Sequence, residues 1–75
     1  MNKIVNEIMN AYPHRYGIDI YLTSYVSIHI NCCECFIAFD HETLELEIHK
    51  EEEKEFLDAP ILTIKQENIV SWEWK

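Results

Sequence analysis

The densest patterning in the chain lies between residues 33 and 49, where apolar and polar side chains alternate on both sides of a polar break. Cys33, Cys35, Ile37 and Phe39 share one parity. After Asp40-His41-Glu42, the residues Leu44, Leu46 and Ile48 share a parity while Glu45, Glu47 and His49 take the other. A period of two is the mark of a half-buried β-strand. The segment therefore predicts a hairpin of strands 33–39 and 43–49 around a tight turn at 40–42. The leucine set would face a core, and Glu45, Glu47 and His49 would face water.

The remaining elements are placed by what they add to this hairpin. Over residues 2–12, Ile4, Val5, Ile8, Met9 and Tyr12 form one stripe at helical spacing, with Lys3, Asn6, Glu7 and Asn10 opposite. Asn2 is the expected N-cap, and Pro13 disfavours helical geometry at the residue before it. A helix this short is marginal alone, so it is expected to pack on a sheet. Residues 13–17 form a loop holding the chain's single glycine.

Ile18, Ile20 and Leu22 then alternate with Asp19, Tyr21 and Thr23, predicting a strand over 18–23. After a break at Thr23-Ser24, Val26, Ile28 and Ile30 alternate with Ser27, His29 and Asn31, predicting a strand over 25–31. Beyond the hairpin, the charged run 50–58 either extends it or makes one helical turn, and Pro60 ends any helix there. Strands are expected at 61–65 and 69–74 around a polar turn at Gln66-Glu67-Asn68, with Val70, Trp72 and Trp74 on one face. The prediction is one domain, 1–75. Its class is α+β, an N-terminal helix followed by a mostly antiparallel sheet of four to six strands curled into a roll or small barrel.

Two stretches resemble the Sm-like family of small barrels. Ala38-Phe39-Asp40, followed by Thr43-Leu44 and a strand, resembles its first motif. Ile64-Lys65-Gln66-Glu67-Asn68-Ile69-Val70-Ser71-Trp72 resembles its second, in which a short strand, a polar turn and an Ile-Val strand close the barrel. The resemblance implies a barrel and a ring of copies that binds RNA or a small nucleotide at subunit interfaces. The family's RNA site uses an Asn beside the first motif and an Arg-Gly before the second. Here Glu42 or Thr43 and Lys65-Gln66 stand in those places, so the RNA site itself does not carry over. Five-stranded barrels of the SH3 type share the same pattern.

Composition narrows the picture. At 75 residues, folding buries only roughly 60% of the surface the unfolded chain exposes, so self-association would help a small core. Hydrophobic residues make up 48% of the chain against a single Gly and two Pro, which is a globular rather than a disordered profile. The net charge of −8 repels phosphate backbones and disfavours direct nucleic-acid binding. It suits a protein partner with a basic surface, and equally it suits simple solubility. No stretch approaches the ~20 apolar residues of a membrane span and no signal-peptide pattern opens the chain. Three cysteines, two of them adjacent, cannot all pair within the chain, so reduced thiols and a cytoplasmic location are expected.

The chemistry-bearing residues are few. Cys32, Cys33 and Cys35 with His29 and His41 invite a zinc reading, yet structural zinc draws four converging ligands from separated pairs. On a strand Cys33 and Cys35 point away from Cys32, so Cys33, Cys35 and His29 are the most a metal could use. Buried free cysteine is the expected reading, with no cofactor. A cysteine nucleophile lacks a glycine-rich loop or helix N-terminus nearby, and the negative field opposes a thiolate, so no catalytic residue is assigned.

Residues 42–58 hold eight acids against two lysines, most often the sign of a solvated face. The sharper reading makes Glu45, Glu47, Glu51, Glu52, Glu53 and Glu55 an interaction face for Arg and Lys, standing in for a phosphate backbone. Tyr21 and Tyr25, on the polar parity of their strands, and Trp74, near the C-terminal end, are the expected aromatic contacts. Short acidic chains of this kind resemble phage- and mobile-element-type inhibitors and regulators. The functional expectation is a non-enzymatic module that binds a basic, nucleic-acid-handling protein. The Sm-like ring is the alternative.

Overall fold

A single side-chain hydrogen bond starts the N-terminal helix α1 (Lys3–Ala11). The Asn2 side chain accepts the Val5 N–H at 2.9 Å and satisfies one of the donors a helix start leaves unpaired. Asn2 also donates its own N–H to Gln66 Oε1 at 2.8 Å, which ties the helix start to the far end of the sequence. Past Ala11 the chain tightens into a 3₁₀ turn, Tyr12–His14. The computed structural model describes residues 1–14, 16–50 and 59–74.

Among the described residues six strands follow: β1 (Gly17–Leu22), β2 (Ser27–Asn31), β3 (Cys35–Asp40), β4 (Glu45–Lys50), β5 (Leu62–Lys65) and β6 (Ile69–Trp74). They form two antiparallel three-stranded sheets, ordered β2-β1-β6 and β3-β4-β5. The α+β class therefore holds, whereas the sheets do not close into a barrel. Closure needs strand-to-strand pairing across both junctions between the sheets. One junction is a turn at 32–34 between β2 and β3, and the other is a 3₁₀ turn, Gln66–Asn68, between β5 and β6.

Both sheets and the helix bury their apolar faces in one cluster. Val5 and Ile8 come from α1, Ile18, Ile20, Ile30 and Ile69 from the first sheet, and Ile37, Leu46, Ile48 and Ile64 from the second. Tyr12, Phe39 and Trp72 pack against its margin. Burial of each such aliphatic side chain is worth roughly 1.5–3 kcal/mol.

The hairpin at 33–49 departs from its expected parity at both ends. Cys33 lies in the turn at 32–34, exposed, and only Cys35 begins the strand. The β3–β4 connection occupies residues 41–44, so Leu44 leaves the core face; it takes φ 58°, in the left-handed region, and is 46% exposed. The reason is local. Asp40 Oδ1 accepts the N–H groups of Glu42 (2.8 Å) and Thr43 (3.3 Å), and the Leu44 N–H bonds the Asp40 carbonyl at 2.8 Å, a four-residue turn built on one aspartate. His49 was expected in water and is instead 2% exposed, stacked on Phe36 at 4.9 Å across the register pair Phe36↔His49.

Two further strands shift in the same way. Val26 lies outside β2 and is exposed, and Ile61 precedes β5 and is exposed, leaving Ile64 as the buried residue there. The charged run 51–58 lies outside the described residues.

Leu46→Ala is expected to cost about 2–5 kcal/mol in urea unfolding, and Ile61→Ala less than about 0.5 kcal/mol, because only the first side chain is replaced by a cavity. Asp40 gives a second test. The N–H of Glu42, then that of Thr43, holds its carboxyl below the ordinary aspartate value. Its folded value is depressed, so its contribution to stability is present above the unfolded value and is lost as pH falls through the folded one. Asp40→Asn keeps the acceptor and removes the titration, so the acid limb of the stability–pH curve flattens in denaturation series run below pH ~4.

Candidate interaction surface

The loop between β1 and β2, like the β3–β4 turn at Leu44, holds a residue other than glycine in the left-handed region. Leu22 N–H bonds the Val26 carbonyl at 2.9 Å and Tyr25 N–H bonds the Leu22 carbonyl at 3.1 Å, leaving a three-residue loop, Thr23-Ser24-Tyr25. Such loops are a turn followed by one left-handed residue, a position that glycine fills most readily. Here it is Tyr25, at φ 64°. Holding a non-glycine residue there costs roughly 1–2 kcal/mol. The ring recovers none of this by packing, because Tyr25 is fully exposed. Thr23 N–H, bonded to the Asn68 carbonyl at 2.9 Å, pins the loop to the turn before β6.

On β6 a register shift brings a second apolar group alongside. Tyr21 pairs with Ser71 but Leu22 with Ile69, so Val70 is the extra residue of a bulge. The bulge breaks the expected parity of Val70, Trp72 and Trp74. Ile69 turns into the core, Trp72 stays at its margin, and Val70 is left 52% exposed. Residues 21–23, Tyr25, Val26, Val70 and Ser71 together line an open, mostly apolar groove of about 550 Å³.

A polar network borders this groove on the outer face of the sheet. The Tyr21 hydroxyl donates to Glu73 Oε1 at 2.7 Å, and this bond pushes the phenol above its usual range. One pleat away, His29 Nδ1 lies 2.5 Å from Asp19 Oδ1 across the register pair Asp19↔His29. The imidazole lies over Gly17, where a Cβ would stand 2.9 Å from His29 Cε1, so the chain's one glycine supplies the room. On its other side Asp19 stands opposite Glu73.

The residues singled out from the sequence therefore separate. Tyr21 and Tyr25 converge on one groove, although Tyr25 belongs to the loop rather than to a strand. Trp74 does not join them. It sits opposite Ile18 at the other end of β6, half-exposed, with its ring 5.4 Å from that of Trp72. Glu45 and Glu47 belong to the second sheet and are half-buried rather than facing water. Glu45 is in register with Lys65, and Glu47 Oε1 lies 3.1 Å from His49 Nε2. Glu51, Glu52, Glu53 and Glu55 lie outside the described residues.

Cys33, Cys35 and His29 do not converge. Among the described residues no group of three or more His, Cys, Asp and Glu side chains forms a metal site. Burial, then the neighbouring thiols Cys33 and Cys35, pushes the Cys32 thiol up. Sequence reasoning missed Val26, Val70 and Glu73. Val26 was expected to face the core, and no residue pattern announced the bulge that exposes Val70.

A smaller cleft of about 190 Å³ lies at the turn of the β3–β4 hairpin, lined by Thr43, Leu44, Lys65, Gln66 and Glu67. The Gln66 N–H bonds the Leu44 carbonyl at 3.0 Å, joining the β3–β4 turn to the turn before β6. Comparison with protein-family models, with curated proteins and with solved structures finds no match to this chain.

Tyr25→Gly is expected to raise the stability of the protein by about 1 kcal/mol in urea unfolding, since it removes backbone strain and sacrifices no buried contact. An unchanged or lower midpoint would mean that the ring packs in solution.

Proposed function

We propose that this protein is a small acidic, non-enzymatic binding module whose partner is a protein with a basic surface, of the nucleic-acid-handling kind. The observation that carries the reading is the fully exposed Tyr25, held in a costly backbone conformation beside the Tyr21–Val70 groove. Strain of this sort persists where the surrounding structure enforces it, and it gathers at functional positions. Tyrosine supplies a large, rigid contact with few rotors, the type of residue that dominates interface energetics. The net charge of −8 selects the sign of the partner and speeds its approach. A regulator or inhibitor that occupies the nucleic-acid site of such a partner, of the phage or mobile-element type, fits these properties.

The test uses the intact chain immobilised against an extract of its source cells, beside Tyr25→Gly and the triple variant Glu51→Gln, Glu52→Gln, Glu53→Gln. A basic protein should be retained by the parent and lost from Tyr25→Gly. Its retention by the triple variant should drop several-fold at low salt and approach the parent's as salt rises. Equal retention by all three chains overturns the reading.

A second reading is favoured by the meeting of the two Sm-like stretches at the Thr43–Gln66 cleft. It is a ring of copies, joined through the outer strands β2, β6, β3 and β5, that binds RNA or a small nucleotide. Light scattering separates the two. A closed hexamer or heptamer supports the ring, and a monomer or loose dimer removes it.

A further inference from the structure

We infer that the groove beside Tyr25 takes a short extended segment of the partner in which an aliphatic or aromatic side chain stands next to an arginine. The apolar side chain seats between Tyr25 and Val70, and the guanidinium meets Glu73. The inference rests on the protein-binding reading above and adds the chemistry of the occupant.

Volume and lining set the first half of that specificity. At about 550 Å³ the groove is within the range of sites that enclose a ligand, and larger than one side chain requires. It is lined by Tyr21, Leu22, Tyr25, Val26 and Val70, with Thr23 and Ser71 as its small polar members, so most of the contact area it offers is apolar. An apolar side chain is what such walls accept. Val26 and Val70 are each about half-exposed, so the free protein leaves this area in water until something covers it.

Charge sets the second half. Glu73 stands directly opposite Asp19 on the neighbouring strand, and like charges in that position repel. His29 lies against Asp19, and Glu73 accepts the Tyr21 hydroxyl. Among the described residues no lysine or arginine forms an ion pair with Glu73. A carboxylate has room for several donors, and an arginine presents a planar set that matches it two at a time. Tyr21 links the two halves, since its ring lines the groove while its hydroxyl is on Glu73. An arginine one or two positions from the seated apolar residue would reach Glu73 along the face of that ring, where cation–π attraction adds to the pairing.

A random peptide library is selected on the immobilised full-length chain and counter-selected on Tyr25→Gly. The enriched peptides should carry an arginine one or two residues from an aliphatic or aromatic residue. The strongest of them should bind Glu73→Gln about tenfold more weakly than the parent. Amide shifts on titrating that peptide into labelled protein should cluster in residues 21–27 and 70–73. Enriched peptides without arginine, or binding unchanged by Glu73→Gln, overturn the assignment of the occupant. No enrichment over Tyr25→Gly overturns it as well.

The retention experiment with the natural partner keeps this outcome distinct from failure of the broader reading. A partner lost from Tyr25→Gly but kept by Glu73→Gln leaves protein binding standing and removes the arginine. A partner kept by both removes the groove altogether.

Discussion

All of the structure depends on one shared aliphatic cluster, in which the helix and both sheets bury their apolar faces together. A stripe of Val5 and Ile8 is too little to hold a short helix in water, and either three-stranded sheet alone would leave its apolar face exposed to solvent. Joined, they enclose ten buried apolar residues among those described, eight of which are isoleucine. β-Branched side chains have few rotamers to lose on packing, and they favour the strand geometry that six of the elements adopt. A core this small leaves little reserve, so the two links that brace it count for more than their individual strength. They are Asn2 to Gln66, across the helix start, and Thr23 to Asn68, across the β1–β2 loop. Both end on the short turn Gln66–Asn68, which therefore fixes α1, β1 and β6 relative to one another.

That arrangement makes the outer face of the first sheet a different environment from its inner one. β1 is flanked on both sides, so Asp19, although it faces outward, is almost as buried as the isoleucines beside it. A carboxylate at that depth is stable only with donors around it, and His29 lies against it. Glu73 and Tyr21 repeat the arrangement one pleat further along, nearer to solvent. The outer face thus grades from a satisfied polar pair beside Gly17 to an unsatisfied apolar margin at Tyr25. The groove is where pairing within the chain gives out.

The sequence was most legible where side-chain parity and burial are the same question. Helix α1 and the inward positions Ile18, Ile20, Ile30, Ile37, Leu46 and Ile48 follow from periodicity alone. Legibility failed where a turn spends a residue that alternation would assign to a strand. Leu44 and Val26 both continue an inward parity and both are lost to loops, one closed by Asp40 and the other by the Leu22–Val26 pair. Barrel closure was not readable because it turns on whether β2 pairs with β3 and β5 with β6 across short turns, and nothing in the alternation distinguishes a paired edge from an open one. His49 escaped for a related reason. It is buried by stacking on Phe36 across the strand pair, and a polar parity does not distinguish such a covered side chain from a solvated one.

The same failure explains why the groove was only half visible. The aromatic residues Tyr21 and Tyr25 could be picked out as surface contacts, but not as neighbours, since that needs the three-residue loop and the bulge at Val70 together. Each irregularity is unfavourable for the fold taken alone. One puts a tyrosine where glycine costs less, and the other turns a valine out of a sheet whose core has few residues to spare. Neither relieves the other, because Tyr25 is exposed on every side in the free protein. The loop at Tyr25 is closed by the Leu22–Val26 pair and pinned by Thr23 to Asn68, as the turn at Leu44 is closed by Asp40, so in both places local hydrogen bonding sets a backbone that side-chain alternation does not announce.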